Sequence, residues 1–287
     1  MTIERSSRQS PREEFRAVDR LRLEVAYAGG EELYAWPESG AFEHSIEELL
    51  PSHGLVSNGS YAIHIRTLFL RDVARFGQPR TEDGRVRLDA TVPAALSGFA
   101  LTTSAGSVPA GLDATVWLNP SRLDLERLEV RVSTRLAQSI ETTTYGRVRI
   151  GEVEFVVPEA SELLLWGSDG TQLRNVSRFD RYHRYVGTAT ITYDTADHGP
   201  AAPGTKTEPA RAGAKIAGVL DAPIPAGAAI GDPFTITAEG GAKLTGRVAG
   251  MHRSGRSNWE IELTLQGRVL RARLPLAEGT RLTFGKM

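Results

Sequence analysis

A chain of 287 residues with 40% hydrophobic content can bury a sizeable core, as one large β domain or, better on length, two ordinary domains. Its formal net charge of −1 argues against a dedicated nucleic-acid binder, which relies on neutralising phosphates. The absence of cysteine excludes a disulfide framework, a thiolate nucleophile and any Cys-based metal or iron–sulfur centre.

The balance of charge hides an asymmetry. Residues 1–194 hold 22 Lys+Arg against 27 Asp+Glu, whereas residues 211–287 hold 11 against 6. A basic C-terminal part suits docking on the acidic first part, attraction to an anionic surface, or plain solubility. No apolar run approaches the roughly 20 residues that a membrane-spanning helix needs. The segment Thr2 to Arg20 is charged and lacks the apolar stretch of a leader, which taken literally describes a cytoplasmic chain.

In chain order, Thr2 to Arg20 reads as polar and flexible, with Phe15 and Val18 tying its second half to the strand beyond. Leu21, Leu23, Val25 and Tyr27 alternate with polar neighbours as a half-buried strand, Gly29-Gly30 supplies a turn, and Glu32 to Trp36 returns. Ser45-Ile46-Glu47-Glu48 has capping-box spacing for a short helix that Pro51 closes. Tyr61 to about Arg75 is the main helix expected: Ile65, Leu68, Phe69, Val73 and Phe76 form one apolar stripe, to be buried in the concave face of a sheet.

From Gly84 strands follow one another. They are Val86 to Val92, Phe99 to Thr103, Tyr145 to Arg149, Val153 to Val157, Leu163 to Leu165 and Phe179 to Tyr193, spaced as an antiparallel meander that closes or nearly closes. The best-formed signal is Thr115 to Val130, a hairpin turned by Asn119-Pro120. Leu123, Leu125, Leu128 and Val130 break period two between Leu125 and Leu128, which predicts a β-bulge that bends the sheet.

Residues 195–212, rich in Pro, Ala and Gly, read as a linker between a domain over 1–194 and a small β module over 213–287. Within that module Ile216 to Leu220, Pro233 to Thr237, Ala242 to Val248, Trp259 to Leu265 and Arg268 to Leu270 are candidate strands. They fit a compact barrel of five or six strands.

Glu32-Leu33-Tyr34-Ala35-Trp36-Pro37, Gly59 to His64, Thr115 to Pro120 with Leu128-Glu129-Val130, Tyr145 to Gly151, and Arg174 to Phe179 with Tyr182 and Tyr185 carry a resemblance. In these stretches the chain resembles uncharacterised Acidobacteria-type cell-envelope proteins with a LolA/LolB-like, lipoprotein-carrier-like half-barrel. The resemblance implies a mostly-β fold: a curved antiparallel half-barrel with one main amphipathic helix in its concave face, plus the small C-terminal module. It also implies export to the periplasm or outer membrane, with a signal peptide and a further strand upstream, so that the start at Met1 lies inside the precursor.

Catalytic signatures are missing from the sequence. It holds no G-x-S-x-G elbow, no phosphate loop, no dinucleotide fingerprint and no H-E-x-x-H, and His44, His53, His64, His183, His198 and His252 lie singly. No enzyme, cofactor or metal site is therefore expected, and His64 is read as a histidine on the polar flank of its helix. The acid pairs Glu13-Glu14, Glu31-Glu32 and Glu47-Glu48 read as solvent decoration. Arg178 to Tyr185 reads as a strand with a charged outer face, and the tripeptides Asn58-Gly59-Ser60 and Asn175-Val176-Ser177 as turn or cap residues.

The remaining candidates are apolar. Trp36, Ile65, Leu68, Phe69, Trp117 and Phe155 either line a cavity for a lipid tail or pack as a dry core. The first arrangement implies a non-enzymatic envelope protein binding a lipid, an acylated protein or another hydrophobic ligand. The second implies an interaction module with a filled core, whose basic C-terminal part docks on an envelope polymer or partner protein.

Overall fold

The computed structural model describes residues 1–28, 31–40, 42–43, 46–49, 61–103, 106–184, 215–254 and 258–285. The fold is mostly β, 62% strand against 7% helix, and its sheets are antiparallel. In chain order the first elements are β1 (Thr2–Arg8), β2 (Arg16–Arg22), β3 (Glu24–Ala28), β4 (Glu31–Ala35), α1 (Ile46–Leu49) and α2 (Tyr61–Ile65), which runs into a π-helical turn, Arg66–Leu70. Then come β5 (Arg75–Phe76), β6 (Arg80–Glu82), β7 (Arg85–Val92), α3 (Ala94–Ser97), β8 (Ala100–Thr103), β9 (Gly106–Pro109), β10 (Leu112–Leu118), β11 (Leu125–Ser133), β12 (Ala137–Ile150), β13 (Val153–Gly167) and β14 (Gln172–Arg178). The C-terminal part supplies β15 (Ile216–Leu220), β16 (Pro233–Ala238), β17 (Lys243–Ser254), β18 (Asn258–Leu265), β19 (Arg268–Arg273) and β20 (Arg281–Phe284).

Ten strands form the large sheet, in the order β2-β1-β14-β13-β12-β11-β10-β7-β5, with β6 also on β7. Between β12 and β7 lies the expected hairpin, β10 with β11. Trp117 pairs with Arg127 and Leu118 with Leu125, so Glu126 is the extra residue of a bulge at the step where the apolar period breaks. The turn is built by Asn119, whose Oδ1 accepts from the amides of Ser121 (3.0 Å) and Arg122 (3.1 Å), and whose Nδ2 donates to Glu126 (3.0 Å). One side chain thus ties the turn to the bulge. Asn119→Ala is expected to cost about 1 kcal/mol, a typical net loss for such bonds at a wet turn, read as a lower denaturation midpoint at unchanged slope.

Other expectations change. The polar N-terminus is no flexible arm: β1 lies inside the large sheet, between β14 and β2, because its inward Arg5 finds an acid partner across the strand pair. Val153 to Val157 and Leu163 to Leu165 belong to one long strand, β13, which runs through Pro158 by means of a bulge opposite Tyr145. Phe179 to Arg184 is irregular, and the rest of that predicted strand lies outside the described residues, as do the 195–212 linker and Asn58-Gly59-Ser60. Asn175 and Ser177 sit in β14, 4% and 3% exposed, so that tripeptide is neither a turn nor accessible for glycosylation.

The helix expected over Tyr61 to Arg75 ends at Leu70. A π turn carries an extra residue per hydrogen-bonded loop and so shifts the phase of the stripe. Leu68 stays buried at 2%, Phe69 turns outward at 41%, and beyond Asp72, at φ +53°, the chain extends, leaving Phe76 in the short strand β5.

The six C-terminal strands form a nearly closed barrel in the order β19-β18-β17-β16-β15-β20, with Val269 and Gly285 bridging the two ends. Five of them are legible in the sequence; β20 is the sixth. Phe234 and Phe284 stack inside at 5.9 Å. The barrel packs directly on the edge of the large sheet: Arg22 donates its amide to Ile230 (2.8 Å), and Ile230 its own to Arg20 (2.8 Å). An exposed edge strand invites foreign pairing, and here the barrel covers β2. Leu21 and Ile230, both 0% exposed, meet at this seam within one continuous core with Ile3, Leu23, Tyr34, Ile236 and Leu263. The charges at the seam run opposite to the overall asymmetry, since Arg22 of the sheet pairs with Asp232 of the barrel at 2.7 Å.

Candidate functional site

Directly opposed residues of an antiparallel ladder point to the same face, so the registers define the rows of the inner face. One row reads Leu88, Val116, Leu128, Thr143, Ser161, Ser177, Ile3, Leu21. The next reads Ala90, Ala114, Val130, Glu141, Leu163, Asn175, Arg5, Asp19. The face is apolar over β7, β10 and β11. From β12 onward it carries a band of buried polar side chains, Glu141, Thr143, Ser161, Asn175 and Ser177, all below 9% exposed, which in the second row runs on to Arg5 and Asp19.

The covering elements complete this band. Glu32, on β4, accepts the Tyr34 hydroxyl at 2.6 Å and the amide of Ala62, which caps the first turn of α2. That helix delivers His64, 4% exposed, to Glu141, 6% exposed, with Nε2 3.2 Å from Oε2. Ser161 donates to the other Glu141 oxygen at 3.1 Å, and Thr143 donates to Ser161 at 3.3 Å. The Phe99 ring lies 6.0 Å from the imidazole. Both His64 Nδ1 and the Tyr145 hydroxyl are buried without a hydrogen-bond partner.

Burial dominates the electrostatics. It pushes the Glu32 carboxyl above its ordinary range, against the pull of the Tyr34 and Ala62 hydrogen bonds. The Tyr145 phenol is raised by burial first and then by the charges of Glu141 and Glu32. For Glu32 the folded state favours the protonated form, so its contribution to stability is full below about pH 4.5 and is lost as pH rises through the higher folded-state value. Glu32→Gln, which stays neutral, is expected to gain stability relative to wild type as pH rises above that point; melting temperatures of both proteins across this range check it.

Ser161 donates to a carboxylate, and the imidazole sits on the opposite oxygen of that carboxylate. His64 is therefore not placed to take the Ser161 proton, as a Ser-His-Asp relay would require. Among the described residues no group of three His, Asp or Glu side chains is arranged to hold a metal ion.

The six apolar candidates are not brought together. Leu68 lies in the apolar core beside the band and the half-buried Ile65 packs against it. Phe69 points outward and stacks on Phe76 at 5.7 Å. Trp36 lies at the barrel seam, 5.8 Å from the Arg247 guanidinium. Trp117 is on the outer face of β10, between Arg87 at 5.7 Å and Arg127 at 4.6 Å. Phe155, 42% exposed, belongs to the far end of the β12–β13 hairpin.

The buried band is hidden in the sequence because Ser139, Glu141, Thr143 and Tyr145 alternate with Gln138, Thr142 and Thr144, so both faces of β12 look polar. His64 and Glu32 likewise face inward, where solvent roles were expected for both. A lone carboxylate inside a hydroxyl-rich strand was the one available signal. No family model, curated protein or solved structure matches the chain.

Proposed function

We propose that this protein is a non-enzymatic interaction module whose curved sheet is filled by its own side chains and whose surface elements meet a macromolecular partner, an envelope polymer or protein. The dispersal of Trp36, Phe69, Trp117 and Phe155 away from Leu68 carries this reading. Glu141 and the Arg5–Asp19 pair spend their hydrogen bonds within the band, and a wall of such polar side chains offers an acyl chain little apolar surface to bury against. This reading takes the envelope setting from what the LolA-like resemblance implies, and leaves out lipid carriage. On the barrel, Arg271 and Arg273 stand exposed beside Glu262 and Glu260 and offer a salt-sensitive contact.

The test is titration of the purified protein with a fluorescent fatty acid, beside co-sedimentation with isolated cell-envelope polymer at low and high salt. Absence of saturable fatty-acid binding together with salt-sensitive co-sedimentation is the expected result. Saturable binding that Leu68→Trp abolishes would sink the reading.

One observation favours a second reading. The unpartnered His64 Nδ1 and Tyr145 hydroxyl suit the polar head of an amphipathic ligand, such as a lipid or the acylated end of a protein, with its tail along Ile65 and Leu68. Under that reading native mass spectrometry of protein from its own host shows a bound lipid, and His64→Phe removes it.

A further inference from the structure

The β12–β13 hairpin outgrows its sheet. Pairing of β12 with β11 stops at Thr144, and pairing of β13 with β14 stops at Ala160, yet the hairpin continues to its loop between Ile150 and Val153. Residues 146–157 therefore project as a two-stranded ribbon with no strand partner on either side among the described residues, its base held where Phe179 donates to Glu159 and Tyr182 to Pro158. Val148, Ile150, Val153, Phe155 and Val157 share one of its faces by register, and Val153 and Phe155 are 52% and 42% exposed.

Backbone geometry decides which groups the free edges offer. The loop has two residues, with Gly151 at φ +63° in the first position, as a type II′ turn has it. Such a loop is closed by a pair that exchanges both backbone hydrogen bonds, so Ile150/Val153, Val148/Phe155 and Gly146/Val157 are the bonded pairs. The N–H and C=O groups of Arg147 and Arg149 on β12, and of Glu154 and Val156 on β13, point outward instead.

We propose that β13 pairs with β13 of a second copy of this chain, antiparallel across a two-fold axis at Phe155. In this register Glu154 bonds Val156 of the other copy and Val156 bonds its Glu154, four backbone hydrogen bonds in all. Phe155 meets Phe155 in the close, non-bonded pair, and Val153 meets Val157 on the same apolar face. Moving the axis to Val156 would demand an amide from Pro158, which has none. The β12 edge is unsuited to self-pairing, since a two-fold axis at Val148 sets Arg147 against Arg149. Arg147 is already engaged by Asp124 (2.7 Å) and Glu154 (2.6 Å) of its own chain. The contact is isologous and closed, as a two-fold dimer requires. It stands on the backbone of the ribbon and is independent of what the interior binds.

The chain has no cysteine, which makes the test direct. Opposed residues of a non-bonded pair lie within disulfide reach. Phe155→Cys is therefore expected to form a covalent dimer on mild oxidation at least about 10-fold faster than Val219→Cys, an exposed control on the barrel, because pairing raises the local thiol concentration. Val153→Cys alone stays at the control rate, since its opposite number is Val157. Light scattering on the unmodified full chain gives a dimer. Phe155→Lys, which brings two ammonium groups face to face, gives a folded monomer by circular dichroism. A monomeric wild-type chain at every concentration, or Phe155→Cys cross-linking no faster than the control, overturns the proposal.

Discussion

Asp19→Ala is expected to lower folding stability by about 3–5 kcal/mol, the usual result of removing one partner from a buried ion pair. Arg5 and Asp19 are 7% and 5% exposed, and the Arg5 Nε donates to Asp19 Oδ1 at 2.6 Å while Nη2 reaches the second oxygen. The pair closes the polar end of the inner face, where β1 meets β2. Without the carboxylate a buried guanidinium loses the anion that both Nε and Nη2 address. Converting both residues together, Arg5→Met with Asp19→Leu, is expected to restore most of the loss, because the penalty lies in keeping a guanidinium buried after its carboxylate is gone. Urea titrations of the three proteins decide it: a single variant within about 1 kcal/mol of wild type would show that water reaches the pair.

Gly231→Ala is expected to cost about 2–4 kcal/mol, combining overpacking with backbone strain. Gly231 sits at φ +102°, and a Cβ there would lie 2.4 Å from the Arg22 carbonyl oxygen and 2.5 Å from the Trp36 ring. Neither neighbour has room to move. Arg22 is held in the seam by its bond to Ile230, and Arg247 spans the same place, donating to the carbonyls of Gly231 (2.6 Å) and Pro37 (3.1 Å). The substitution therefore acts on the joint between barrel and sheet, and thermal unfolding should split from one transition into two. A single sharp transition with unchanged midpoint would contradict this account of the seam.

Much of the fold was legible where one face of a strand is apolar. Val116 with Leu128 and Val130 announced the β10–β11 hairpin, Asn119-Pro120 its turn, and the Leu125 to Leu128 step its bulge. The barrel strands declared themselves in the same way through Phe234 and Ile236 or Ile261 and Leu263. Legibility ends where the buried face is polar. In β1 the inward residues are Ile3 and Arg5, in β14 Asn175 and Ser177, and in β12 Glu141 and Thr143, so periodicity has nothing to report. Those strands are satisfied by partners far along the chain, which a local window does not contain. The candidate site was hidden for the same reason: His64 and Glu141 stand 77 positions apart, and only the approach of helix to sheet joins them. The helix itself was misjudged in length, since a π turn leaves no mark in a stripe of Ile65, Leu68 and Phe69.

The place of β1 in the large sheet also constrains how the protein is made. Thr2 pairs with Arg178 on one side and Arg22 on the other, and Arg22 in turn binds Asp232, 210 positions ahead. During synthesis the first strands leave the ribosome long before the strand that must flank them, and longer still before the barrel that covers their edge. The nascent chain therefore carries an unfinished sheet margin through most of translation, a state prone to misassembly. Completion of this protein comes late and in two steps: β14 flanks β1, and the barrel then covers the edge at β2.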